Sequence, residues 1–218
     1  MIKAIVFDLD GTLVDSSQDI SNAINHVLLN KGLSTVNISE TLLCVGNGLK
    51  NAIKKAIDMK NGQFNDSDYN AFITYYNNNV CKYTTVYSGV YELLNQLVKD
   101  NYIIAILSNK ADNLVKIIVN ELFPSIPFSY ISGKKENKEL KPNKNVFNDL
   151  YKVLEINSDE LLYIGDSEVD IQTLRNTKVD GIIVSYGFRN KKELDCEYIV
   201  TDDTKELLNA IRRKRNNY

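Results

Sequence analysis

Lys3-Ala4-Ile5-Val6-Phe7-Asp8-Leu9-Asp10-Gly11-Thr12-Leu13-Val14-Asp15-Ser16 is the stretch whose reading decides the fold. Residues 2 to 7 are an apolar, β-branched run closed by Asp8, the pattern of a buried strand that ends at a polar loop. From Asp15 or Ser16, both candidate N-caps, the apolar spacing turns helical and runs to Lys31-Gly32, where glycine suits a helix end. Further helical patterns cover roughly 48–59 and 66–81, and no strand pattern interrupts 15–85.

After Gly89 the pattern alternates: helix (Val90 to Leu97), strand (Tyr102 to Leu107), helix (Leu114 to Leu122), strand (Phe128 to Ile131) and helix 143–154. A strand at Leu161 to Ile164, a short helix near 168–175, a strand at Gly181 to Val184 and a last strand near Tyr198 to Val200 complete the series. Strands alternating with helices imply right-handed crossovers and a parallel sheet. The expected fold is therefore α/β, a Rossmann-like core of residues 1–14 and 86–218 with an α-helical domain, 15–85, inserted after the first strand.

Composition sets the outer limits. The chain has 218 residues, 44% hydrophobic and 25% charged, with 3 prolines and 10 glycines, which is ordinary globular usage. A formal charge of -2 gives no broad basic field for a nucleic acid backbone or an anionic membrane. Apolar runs such as Ile103 to Leu107 are strand-sized, far below the roughly 20 residues of a membrane span. The N-terminus shows no signal-peptide pattern, so a cytoplasmic protein is expected, with no nucleic acid or membrane partner. Cys44, Cys81 and Cys196 suit neither a disulfide framework nor paired zinc ligands and read as reduced thiols. His26 is the only histidine and falls in a helical pattern, which removes most triad hydrolase mechanisms. Lys134 to Glu139 reads as a solvated loop, and the basic tail Arg212 to Arg215 as a frayed terminus.

In parallel α/β sheets ligands collect beyond the carboxyl ends of the strands, so polar residues just after apolar runs are the candidates. Four places qualify: Asp8 and Asp10, Ser108-Asn109 after the second strand, Lys141 before helix 143–154, and Asp166 with Asp170. Asp8 and Asp10 share a side if the chain stays extended through Leu9. With Asp166 three carboxyl groups could converge, a concentration of charge that calls for a hard cation such as Mg²⁺. Asp170 could hold a metal-bound water or the Lys141 ammonium. In the inserted block, Gly46-Asn47-Gly48 precedes a helix and could offer backbone N–H groups and the Asn47 amide to an anion.

These residues resemble the signature of the haloacid dehalogenase superfamily. The motifs are Asp8-Leu9-Asp10-Gly11-Thr12, Ser108-Asn109, Lys141-Pro142 and Gly165-Asp166-Ser167-Glu168-Val169-Asp170, in the family's order along the whole chain. The resemblance implies a phosphatase in which Asp8 attacks phosphorus to form an aspartyl-phosphate, and Asp10 protonates the leaving alcohol and then activates water. It implies that Thr12, Ser108, Asn109 and Lys141 serve the phosphoryl oxygens, that Mg²⁺ is bound by Asp8, the Asp10 carbonyl and Asp166, and that Asp170 stands behind them. The presence of Asp10 favours phosphate chemistry over carbon–halogen cleavage. Residues 15–85 resemble the family's helical cap, and Val45-Gly46-Asn47-Gly48-Leu49 within it, with Tyr186-Gly187-Phe188, resembles the phosphoglycolate phosphatase branch. The substrate is then a small phosphorylated metabolite, with 2-phosphoglycolate the first candidate, and the protein a monomer or homodimer. Alternatives are a sugar-phosphate mutase of the β-phosphoglucomutase type, a pyrophosphatase of the same superfamily, and a non-enzymatic module phosphorylated on aspartate. One departure is that Lys141-Pro142-Asn143-Lys144 lacks the second proline common in that branch.

Overall fold

The computed structural model describes residues 1–216 apart from Asn47 and Asn137. In chain order the elements begin with β1 (Ala4–Phe7), β2 (Val14–Asp15), α1 (Ser17–Asn30), α2 (Ile38–Cys44), α3 (Leu49–Met59), α4 (Asp66–Asn79) and β3 (Thr85–Val86). They continue with α5 (Val90–Lys99), β4 (Ile103–Ala111), α6 (Asp112–Leu122), β5 (Tyr130–Lys134) and α7 (Asn148–Leu154). Last come β6 (Leu161–Gly165), α8 (Glu168–Thr177), β7 (Asp180–Val184), β8 (Ile199–Thr201) and α9 (Thr204–Asn216).

All four residues of β1 are buried, as a strand flanked on both edges and both faces must be. Ala4 to Phe7 align in parallel with Ile103 to Ile106 of β4 on one side and with Leu161 to Ile164 of β6 on the other. The sheet runs β5-β4-β1-β6-β7-β8, and its pairings are parallel. The chain therefore builds outward from β1 to β5, then returns past β1 to build the other half. That reversal of strand order opens a crevice beyond the carboxyl end of β1, where Asp8 emerges.

The chain divides into two compact units, Met1–Val14 with Val86–Tyr218, and Asp15–Thr85. In the helical unit α1 packs on α2 and α4, with Ile20, Ala23, Ile24, Val27 and Leu28 of α1 and Phe72 and Tyr76 of α4 buried. Asp19 closes this unit on itself by accepting hydrogen bonds from the backbone N–H groups of Tyr83 and Thr84 and from the Thr84 hydroxyl. His26 stacks on Tyr75 with ring centroids 4.4 Å apart, a packing role on the helix surface. The three cysteines are free thiols.

Four sequence expectations need correction. Ser108 and Asn109 do not follow the second strand but lie inside it, because β4 continues to Ala111. The helix expected over 143–154 begins only at Asn148, since Asn143 to Phe147 are spent in turns, with Asn143 accepting from the backbone of Asn145 and Val146. A helix unread in the sequence spans Ile38–Cys44, started by reciprocal capping between Asn37 and Glu40. The basic tail is no frayed end: it belongs to α9, with Leu207, Ala210 and Ile211 fully buried and Arg212 and Lys214 paired to Asp100 and Asp180.

Candidate active site

Asp8 leaves β1 with its backbone still in the sheet, its N–H donating to the Ile164 carbonyl. One carboxylate oxygen accepts from the Leu9 N–H at 2.7 Å, and the other lies 2.6 Å from the Lys141 ammonium. Lys141 is 4% exposed, and its Nζ donates also to Asp170 and to the Tyr163 hydroxyl, each at 2.7 Å. Burial opposes the charge of this lysine, but Asp170 and Asp8 outweigh it and raise its pKa. A permanent ammonium is thus fixed against Asp8.

Asp170 explains the fixity. It is fully buried, and one oxygen takes the Lys141 ammonium and the Tyr163 hydroxyl while the other accepts from the N–H groups of Asp166 and Ser167 and the Ser167 hydroxyl. Burial opposes its ionisation, yet Lys141 and these donors hold its pKa below the ordinary carboxylate range. Asn109 supports the same lysine from the backbone: its amide donates to the Lys141 carbonyl and accepts from the Lys141 N–H, both at 2.9 Å. Expected as a phosphate ligand, Asn109 is occupied with locating Lys141.

Asp166 enters from the end of β6. Its oxygens accept from the Phe188 N–H at 2.9 Å and the Thr12 hydroxyl at 3.3 Å, so Thr12 too, expected at the phosphate, faces Asp166. Burial first, then the charges of Asp170 and Asp8, push the Asp166 pKa well up. Asp8 is pushed up to about 6 by burial, against the pull of Lys141. Asp8, Asp166 and Asp170 each bring an oxygen within 4.8 Å of the others. Asp10 points its carboxylate to a different cation, Lys110, at 2.9 and 3.1 Å.

This donor set suits Mg²⁺. It is oxygen alone, from largely buried side chains, and carries four carboxyl groups against the ammonium groups of Lys141 and Lys110. Burial, together with the neighbouring carboxylate charges, raises the pKa values of Asp8 and Asp166. Ser108 is buried beside them, its hydroxyl accepting from the Lys110 N–H.

Gly46 and Gly48 belong to the helical unit, where both have positive φ and Gly48 precedes α3. Asn47 lies outside the described residues. Sequence reasoning missed Lys110, Tyr163 and the Phe188 N–H. Only Tyr163 left a trace, a tyrosine inside an apolar strand run whose hydroxyl burial would force to find a partner.

The family model for haloacid dehalogenase-like hydrolases matches residues 5–184. A phosphoglycolate phosphatase from Chromobacterium violaceum is 31% identical over 204 residues, 91% of this chain and 92% of that protein. One from Agrobacterium fabrum is 28% identical over 214 residues, covering 96% and 92%. The crystal structure of a provisionally named phosphoglycolate phosphatase from Lactobacillus delbrueckii subsp. bulgaricus superposes with a TM-score of 0.88 at 28% identity, covering 96% of this chain and 98% of that one. With Asp8, Lys141, Asp166 and Asp170 brought together in a parallel α/β domain, the chain belongs to the haloacid dehalogenase-like hydrolases, as a phosphatase of their phosphoglycolate phosphatase-like branch.

Proposed function

We propose that the protein is a magnesium-dependent phosphomonoester hydrolase that works through an aspartyl-phosphate on Asp8, with 2-phosphoglycolate as its substrate. The observation that carries this is the Asp8 carboxylate held 2.6 Å from a buried ammonium beside a second, cation-deficient carboxyl group, Asp166. A carboxylate approaches a phosphate dianion only where cations offset their repulsion, and this cleft is built around that need. The substrate assignment rests on the names of the relatives, which span almost the full chain.

Asp8 attacks phosphorus. Asp10 gives its proton to the departing oxygen and later takes one from the water that cleaves the acyl phosphate. Lys141 and Ser108 hold the transferring oxygens, while Asn109, Asp170 and Tyr163 keep Lys141 in place. Asp8, Asp166 and the Asp10 carbonyl would hold Mg²⁺, which when bound supplies charge neutralisation and polarises the phosphoryl group. The helical unit 15–85 is assigned the role of specificity cap that the family resemblance implies.

Phosphate release from 2-phosphoglycolate with and without Mg²⁺, followed by acid quench and peptide mass analysis, tests the reading. Turnover should require Mg²⁺ and leave phosphate on the peptide containing Asp8, and Asp8→Asn should lose both. Phosphate on another residue, or turnover retained by the variant, would refute the mechanism.

A further inference from the structure

Lys110 takes no part in the proposed mechanism, yet its ammonium is buried. Its side chain is 1% exposed, and its ammonium straddles both oxygens of Asp10 at 2.9 and 3.1 Å. It reaches that place because the pairing of β4 with β5 shifts register between Leu107 and Ala111, a bulge across Ser108-Asn109-Lys110 that re-aims the side chains. For stability alone a well-packed apolar residue would serve as well or better than a buried ion pair.

The placement does serve proton transfer. In the first half-reaction a bond forms from an Asp8 oxygen to phosphorus, the bond from phosphorus to the leaving oxygen breaks, and the proton of the Asp10 carboxyl moves to that oxygen. The products are an alcohol, the acyl phosphate and an Asp10 carboxylate. Negative charge thus develops on the Asp10 oxygens as the proton leaves, beside an ammonium already in position, a preorganised arrangement of the kind that stabilises transition states. Resting on the aspartyl-phosphate reading, we infer that Lys110 is the positioning residue for this step: it orients the Asp10 carboxyl and stabilises the charge that appears there when the leaving group is protonated. In the second half-reaction Asp10 regains a proton and the same ammonium opposes that change, so the benefit is confined to the first.

The test is kcat/KM, which reports steps through formation of the acyl phosphate, for monoesters from 2,4-dinitrophenyl phosphate to simple alkyl phosphates. Good leaving groups depart without a proton; alkoxides do not. Lys110→Met should lose about 100-fold on alkyl phosphates and under about 3-fold on the dinitrophenyl ester, within the range that general acid catalysis contributes. In an Asp10→Asn background the same substitution should cost almost nothing more on alkyl esters. A loss uniform across the series, or no loss, overturns the inference. Asp10→Asn is the control: a loss from it that ignores the leaving group refutes the acid role of Asp10 itself, and Lys110 with it. Should Lys110→Met fail to fold by circular dichroism, Lys110→Gln, which keeps a donor but no charge, is read on the same series with the same criteria.

Discussion

Gly187 lies so close to Gly11 that a methyl group on its α-carbon would stand 1.9 Å from the Gly11 carbonyl oxygen and 2.8 Å from the Asp166 β-carbon. Gly11, with φ +83, is pressed in turn against the Asp166 carboxylate. The segments after β1, β6 and β7 therefore meet at Asp166 with no side chain between them. This contact sets the Phe188 N–H on Asp166. Gly187→Ala must push the 186–188 segment away and withdraw that donor. The apparent Mg²⁺ requirement for activity should rise about 10- to 100-fold, the usual effect of losing a partner behind a metal ligand. A magnesium titration of phosphatase activity checks it; an unchanged half-saturation point would count against the contact.

Asp166 is costly to the metal-free protein. Among the described residues no ammonium or guanidinium lies within ion-pair distance of it, and burial with the Asp170 and Asp8 charges raises its pKa well up. A carboxyl group whose folded pKa exceeds its unfolded one costs stability as the pH rises above the unfolded value, and the cost grows until the pH passes the folded value. Asp166→Asn keeps the shape and removes the charge. Melting in EDTA at pH 7 should shift upward by about 2–4 °C, corresponding to about 1 kcal/mol for a chain of this size, and the gain should shrink toward pH 4. Added Mg²⁺ should then no longer raise the melting point. A lower melting point at pH 7 would contradict the charge balance drawn here.

Ser108 lies inside β4 and Lys141 in the loop beyond β5, but Asp8, Asp10 and Asp166 stand out in the sequence as the acids that follow apolar strands. Their positions follow from where apolar runs stop, which is local information. Lys110 and Tyr163 were harder to see because the place of one depends on a register shift and that of the other on hydrogen bonds to a loop lysine and a helix aspartate, neither of which is periodic. Thr12 and Asn109 were found but given the wrong neighbours, since a motif fixes which residues gather and not which atom each one faces. The helix Thr204–Asn216 was hidden by its own charge, because four basic residues obscure the stripe of Leu207, Ala210 and Ile211. Ile211→Ala tests that correction. A fully buried isoleucine truncated to alanine costs about 2–5 kcal/mol, so melting should fall by roughly 4 °C or more. A change under about 1 °C would restore the picture of a solvated tail.

Asp8 should exchange a proton for the metal. Burial pushes its pKa up to about 6, so below that pH the metal-free carboxyl is largely protonated, and a cation binding its oxygen must displace the proton. Mg²⁺ binding should therefore release protons at pH 5.5, measurable by calorimetry in buffers of different ionisation enthalpy. For a group titrating at about 6, Asp8 accounts for roughly three quarters of a proton at that pH and almost none at pH 8. Asp166, also raised, adds to the release in the wild type. Asp8→Asn isolates the first contribution: the release at pH 5.5 should drop by most of one proton, while at pH 8 wild type and variant should differ little. Equal release by the two proteins at pH 5.5 would mean that the Asp8 carboxyl is already ionised in the metal-free cleft, so that Lys141 outweighs burial there.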